Sequence, residues 1–143
     1  VIGRERFRET SALIDSLVLR VLPKHAIVEI NLVGERRMVE LNKRYRGRRG
    51  ASEILSFSYG SEPGLGQDDS IGEIYLCWPR LTRGAQRRKV DDKEYALRLI
   101  AHGLCHLKGY SHGNEAEERK MEEVEKRLLQ GLLSDEVIKR LFE

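Results

Sequence analysis

The sequence predicts an α+β fold, a small mixed β-sheet of three to four strands packed with about five to six helices, one of them central. Two observations predict it. Short β-rich stretches at 26–34, 52–60 and 71–78 end at Gly or Pro, while the segments around them carry apolar residues three and four apart. With 143 residues the chain has the size of one domain that buries its own core without staples, so a single domain is expected over residues 1–143.

Each element has its own signal. Residues 5 to 22 place Phe7, Ile14, Leu17, Val18, Val21 and Leu22 at helical spacing, and Pro23 ends the run. AIVEINLVG, 26 to 34, reads as a strand closed by Gly34. ERRMVELNKRY then sets Met38, Leu41 and Tyr45 on one face of a short helix that leads into the basic loop RGRRG. SEILSFSYG, 52 to 60, is the second strand, and the Gly, Pro and Asp-rich SEPGLGQDDS is a connection between strands. IGEIYLCW, 71 to 78, is the third strand, stopped by Pro79. After a short basic helix, DDKEYALRLIAHGLCHLKG opens on capping aspartates and an acidic first turn, and carries Tyr95, Leu99, Ile100 and Leu107 on an apolar face. An acidic amphipathic helix follows from 114 to about 130, and SDEVIKRLF adds a capped final turn or two.

Composition narrows the function classes. The chain is 40% hydrophobic and 34% charged, with apolar runs too short to span a membrane. VIGRERFRET alternates charges where a secretory signal would carry an apolar stretch, so a cytoplasmic address is expected. Cys77 and Cys105 do not make a disulfide framework and are expected to be reduced thiols. The net charge of +3 is unevenly spread. Seven basic residues stand between Arg36 and Arg49 against the single acid Glu40, and RLTRGAQRRK, 80 to 89, adds five bases and no acid. Two basic clusters in one small domain point to a phosphate-bearing partner.

Three of the four histidines lie in HGLCHLKGYSH, 102 to 112. Four residues apart on a helix, His102 and His106 stand about 40° apart around the axis and about 6 Å apart along it, so their imidazoles can converge on one metal. On an unbroken helix His112 would sit about 240° round from His106 and face away. Gly109 can supply the left-handed turn that ends the helix and brings His112 back. Three neutral imidazoles and an open position are the donor set of catalytic zinc. Cys105 points to one side of His106 and reads as a small buried residue, and His25, just past Pro23, as a loop residue.

The spacing HxxxHxxGxxH is that of the metzincin peptidases, whose second position is a Glu acting as general base. Here that position is Gly103, so peptide hydrolysis is disfavoured despite the ligand frame. Zinc on three neutral ligands keeps its full charge and can polarise a phosphoryl oxygen, which suits the phosphodiester backbone that the arginine clusters would attract.

HGLCHLKGYSH resembles the HGxLHLxGYDH signature of the YbeY family of bacterial rRNA maturation factors, which are metal-dependent single-strand endoribonucleases. LNKRYRGRRGASEILSF, 41 to 57, is similar to the family's LNxxYRxxxxxTDVLSF, and IGEIYLC, 71 to 77, to its LGDIxIC strand. The resemblance implies a mixed four-stranded sheet, Zn²⁺ held by His102, His106 and His112, and roles in 16S rRNA 3′-end processing and ribosome quality control. It also implies single-stranded rRNA and the small ribosomal subunit as partners, and Arg46 as a functional arginine that binds the phosphate. Two departures stand out: Ser111 replaces the signature Asp, and Ser52-Glu53 replaces Thr-Asp. The first removes a carboxylate that could orient a ligand. Two other readings keep the metal frame: a metzincin-like peptidase with its base elsewhere, and a ribosome-binding factor with structural zinc.

Overall fold

The structure, a computed structural model, describes residues 10–47, 50–59, 70–111 and 113–143. Among them the chain runs through α1 (Ser11–Val21), β1 (Ile27–Val33), α2 (Glu35–Arg46), β2 (Ile54–Ser58), β3 (Ser70–Cys77), α3 (Trp78–Arg88), α4 (Asp92–Leu107), α5 (Glu115–Leu129) and α6 (Asp135–Phe142). This is the expected α+β fold, a three-stranded mixed sheet packed against six helices.

Strand β3 lies in the middle, parallel to β1 and antiparallel to β2. Alternation along β3 sends its side chains to two different cores. Ile74 and Leu76 have no solvent exposure; they sit beside Ile30 and Leu32 of β1 and opposite Ser56 and Ile54 of β2. That face packs with Ile14 and Leu17 of α1 and with Leu97, Ile100 and Leu104 of α4 in the main core. On the other face Cys77 and Leu55 meet Met38 and Leu41 of α2 in a second, smaller core.

Helix α4 is central, as expected, touching α1, α3, α5 and α6 as well as β2 and β3. Its close seat on the sheet depends on Gly103. A Cβ there would stand 3.0 Å from Ile74 Cδ1 and 3.2 Å from Ile54 Cδ1, closer than apolar atoms normally pack.

The boundaries differ from expectation in two places with physical reasons. Pro79 does stop β3, but it also opens α3 directly, because a proline in the first helical turn lacks only an N–H the helix does not need. The final turn or two is an eight-residue helix, α6, whose start is capped by Ser134 Oγ accepting from the Val137 N–H at 3.2 Å. The expected helix start at residue 5 and the connection at 61–69 lie outside the described residues. No helix among the described residues is long and apolar enough to cross a membrane.

Candidate metal centre

Both ends of α4 are fixed by capping. At the start, the Glu94 carboxylate accepts the Asp91 backbone N–H at 2.8 Å. At the end, the Gly109 N–H donates to the His106 carbonyl and the Tyr110 N–H to the Cys105 carbonyl, each at 3.0 Å, with Gly109 at φ +103°. This is the Schellman turn, and it needs a glycine at its left-handed position. The turn predicted from Gly109 is therefore present.

The same turn folds the Tyr110 carbonyl back over its own helix, 3.1 Å from His106 Nδ1. A carbonyl oxygen only accepts, so Nδ1 of His106 carries the hydrogen. On the neighbouring ring, His102 Nδ1 faces Glu125 Oε2 at 3.4 Å, and a carboxylate imposes the same tautomer. In their neutral forms both rings then leave Nε2 unprotonated where the two rings meet. The two Nε2 atoms are 3.1 Å apart, with the rings edge to face at 87° and centroids 4.6 Å apart. Two nitrogens bound to one tetrahedral zinc at 2.0–2.1 Å would be about 3.3 Å apart, so the donor atoms fit such an ion.

His112 lies outside the described residues. Its two flanking residues are fastened to one carboxylate: Ser111 Oγ donates to Glu117 Oε2 at 2.6 Å and the Gly113 N–H to the same oxygen at 3.2 Å. Glu117 is itself placed by helix capping, since its N–H donates to Asn114 Oδ1 at 2.9 Å. Ser111, where the signature has Asp, thus meets a carboxylate six residues further on. Among the described residues no third His, Cys, Asp or Glu joins the pair to form a metal-holding group.

Arg46 ends α2, exposed, just before Gly47 at φ +62°. No hydrogen bond or ion pair among the described residues joins it to the histidine pair. Cys105 is fully buried and its thiol is pushed up to about 12, first by burial and then by Glu125. Burial likewise raises Cys77. Both are free thiols, as expected. His25 stands exposed in the turn between α1 and β1.

Two findings add to the sequence reading. Gly103 faces the sheet, so its lack of a side chain answers first to packing, and the position has no room for a general base. Three of the five bases of the second cluster meet partners within the fold. Arg83 and Arg80 both pair with Glu35, the latter at 3.6 Å, and Arg88 donates to the Gly84 carbonyl at 3.1 Å while its guanidinium lies 4.5 Å from the Tyr95 ring centre.

Glu125 was missed because it sits in a run of acids. The signal was its position, four residues from both Met121 and Leu129 on the buried stripe of α5. Arg98, one turn before His102, was also missed; its guanidinium donates to the Leu141 carbonyl and covers the Phe142 ring at 4.3 Å. His102 borders two depressions. One, of about 240 Å³, is lined by Arg98, Glu118, Met121, Glu122 and Glu125. The other, of about 280 Å³, is lined by Glu53, Arg88, Tyr95 and Arg98 among others.

Residues 5–133 match the family described as Endoribonuclease YbeY. The chain is 33% identical over 129 residues to an endoribonuclease YbeY of Methylococcus capsulatus, covering 86% of this chain and 85% of that protein. It is 34% identical over 133 residues to one from Cupriavidus pinatubonensis, covering 92% of this chain but 64% of the longer relative. The backbone is similar to a solution structure from Thermotoga maritima, with a TM-score of 0.57 and 22% identity over 93% of this chain and 91% of the other, a likeness of fold. On the match over most of its length, and on its identity to these relatives, the chain belongs to the YbeY endoribonuclease family.

Proposed function

We propose that this chain is a metal-dependent endoribonuclease that cuts single-stranded RNA, acting on rRNA in 16S 3′-end maturation and in ribosome quality control, with the small ribosomal subunit as its partner. The observation that carries this reading is the His102–His106 pair, with Nε2 atoms 3.1 Å apart and both Nδ1 atoms turned to acceptors. His102, His106 and His112 hold the metal, and three imidazoles are a donor set that Zn²⁺ takes. When bound, the ion supplies Lewis-acid polarisation of a phosphodiester oxygen.

The chain's own residues do the rest. Tyr110's carbonyl and Glu125 face the Nδ1 atoms of the two helical imidazoles and favour the tautomer that leaves both Nε2 atoms to an ion. Glu117 holds the Ser111 side chain on one side of His112 and the Gly113 backbone on the other. Arg46, on the exposed end of α2 in the basic segment 36–49, binds a backbone phosphate and steadies charge as the bond breaks. The bases of that segment follow the single strand by charge, which gives binding a strong salt dependence.

Packing at Gly103 weighs against the peptidase reading, since the base of that mechanism has no place to stand. The test is a substrate panel: labelled single-stranded RNA, the same sequence as a duplex, and casein, each with zinc and with chelator. Zinc-dependent cleavage of the single strand, lost in His102→Ala and reduced in Arg46→Ala, is expected. Casein hydrolysis without RNA cleavage would move the assignment to the peptidases, and no cleavage of anything by a zinc-loaded protein would favour a binding factor.

A further inference from the structure

We infer that Glu125 is a positioning residue that couples metal binding to the stability of the core; this rests on the metal reading above. Glu125 is 4% exposed, and its Oε1 has no hydrogen-bond partner among the described residues. Among the described residues its Oε2 meets His102 Nδ1, and 3.4 Å is long even for a charge-assisted bond. Arg98 of α4 is near enough to interact with Glu125 by charge, but its guanidinium donates to the Leu141 carbonyl and covers the Phe142 ring, and no hydrogen bond joins the two among the described residues. A buried carboxylate with one oxygen unbonded and the other in one long hydrogen bond costs the fold part of its desolvation until its hydrogen bonding is strengthened.

The geometry determines where that charge arrives. Glu125 touches the Nδ1 side of His102, and the Nε2 side of the same ring faces His106. A divalent ion on the Nε2 atoms polarises the imidazole, makes its Nδ1–H more acidic, and strengthens the hydrogen bond to Glu125. The carboxylate therefore opposes the metal-free fold and favours the metal-bound one. A residue of merely structural value would instead stabilise both forms alike.

The experiment compares wild type, Glu125→Gln and Glu125→Met in two measurements on the full chain. Zinc affinity is read by competition with a chromophoric chelator, and unfolding by denaturant is followed in excess chelator. Gln keeps the shape and an acceptor for Nδ1–H but removes the charge, while Met removes the acceptor as well. The expected result is that metal-free Glu125→Gln unfolds at the same or higher denaturant than wild type yet binds zinc ten- to a hundredfold more weakly. Glu125→Met should bind zinc at least as weakly as Glu125→Gln. Equal zinc affinity in wild type and Glu125→Gln would overturn this inference alone, as would a metal-free Glu125→Gln clearly less stable than wild type. A wild type that takes up no zinc would overturn the metal reading and this inference with it.

Discussion

At the residue scale the candidate centre is an arrangement of acceptors around two rings. What distinguishes His102 and His106 from an incidental helical pair is that each has its far nitrogen committed to an oxygen, leaving the near ones 3.1 Å apart. Glu117 plays a comparable part for the loop, taking two hydrogen bonds on one oxygen from residues 111 and 113. Glu117→Ala should lower zinc affinity about tenfold, in keeping with loss of an outer carboxylate, while costing about 1 kcal/mol of stability. Chelator competition and denaturant unfolding measure the two effects, and an unchanged affinity would remove Glu117 from the centre. The histidine pair was legible in the sequence because helical spacing is strict. Glu125 and Glu117 were not, because six glutamates between 115 and 125 look alike until the buried face of α5 and the direction of its first turn are known.

At the scale of elements, α4 has two tasks that constrain each other. It lies on the sheet through Gly103, and it ends at Gly109 so that the following residues return toward His106. Gly103→Glu should destabilise by about 3 kcal/mol or more, because the side chain overpacks against Ile74 and Ile54 and buries an unpartnered charge. Denaturant unfolding checks it, and a stable variant that hydrolyses peptides would contradict both the packing and the functional reading. Gly109→Ala should cost about 1–2 kcal/mol, the penalty for a side chain in the left-handed region, and should weaken zinc binding because the Tyr110 carbonyl shifts. The strands and helices were readable from periodicity, Pro and Gly. The fate of the arginines in α3 was not: whether Arg80 and Arg83 meet RNA or Glu35 depends on how α2 and α3 pack, which no local pattern contains.

At the scale of the whole molecule, burial sets the response to alkali. The Cys105 thiol is raised from 9.0 to about 12 and the Tyr95 phenol from 10.0 to about 12, in both cases by burial first and then by a nearby glutamate. Groups whose folded values lie above the unfolded ones add stability that is complete below the unfolded value and is lost as pH rises toward the folded one. The unfolding midpoint should therefore hold up to about pH 9 and fall between there and about 12, while native Cys105 resists thiol reagents at pH 8. A midpoint flat to pH 11, or rapid labelling of Cys105 in the folded protein, would show that the α4–α5 interface is more open than described.

The central claim is that the imidazoles converging at His102 and His106 hold the ion that makes this chain a ribonuclease. It is tested most directly by stripping the protein of metal and measuring the cleavage rate of single-stranded RNA as zinc is returned, for wild type and for His106→Ala. The account predicts a rate that rises from background and saturates near one zinc per wild-type chain, and no response in a folded His106→Ala. Equal cleavage by stripped and zinc-loaded protein, or full zinc-dependent activity in His106→Ala, would contradict it.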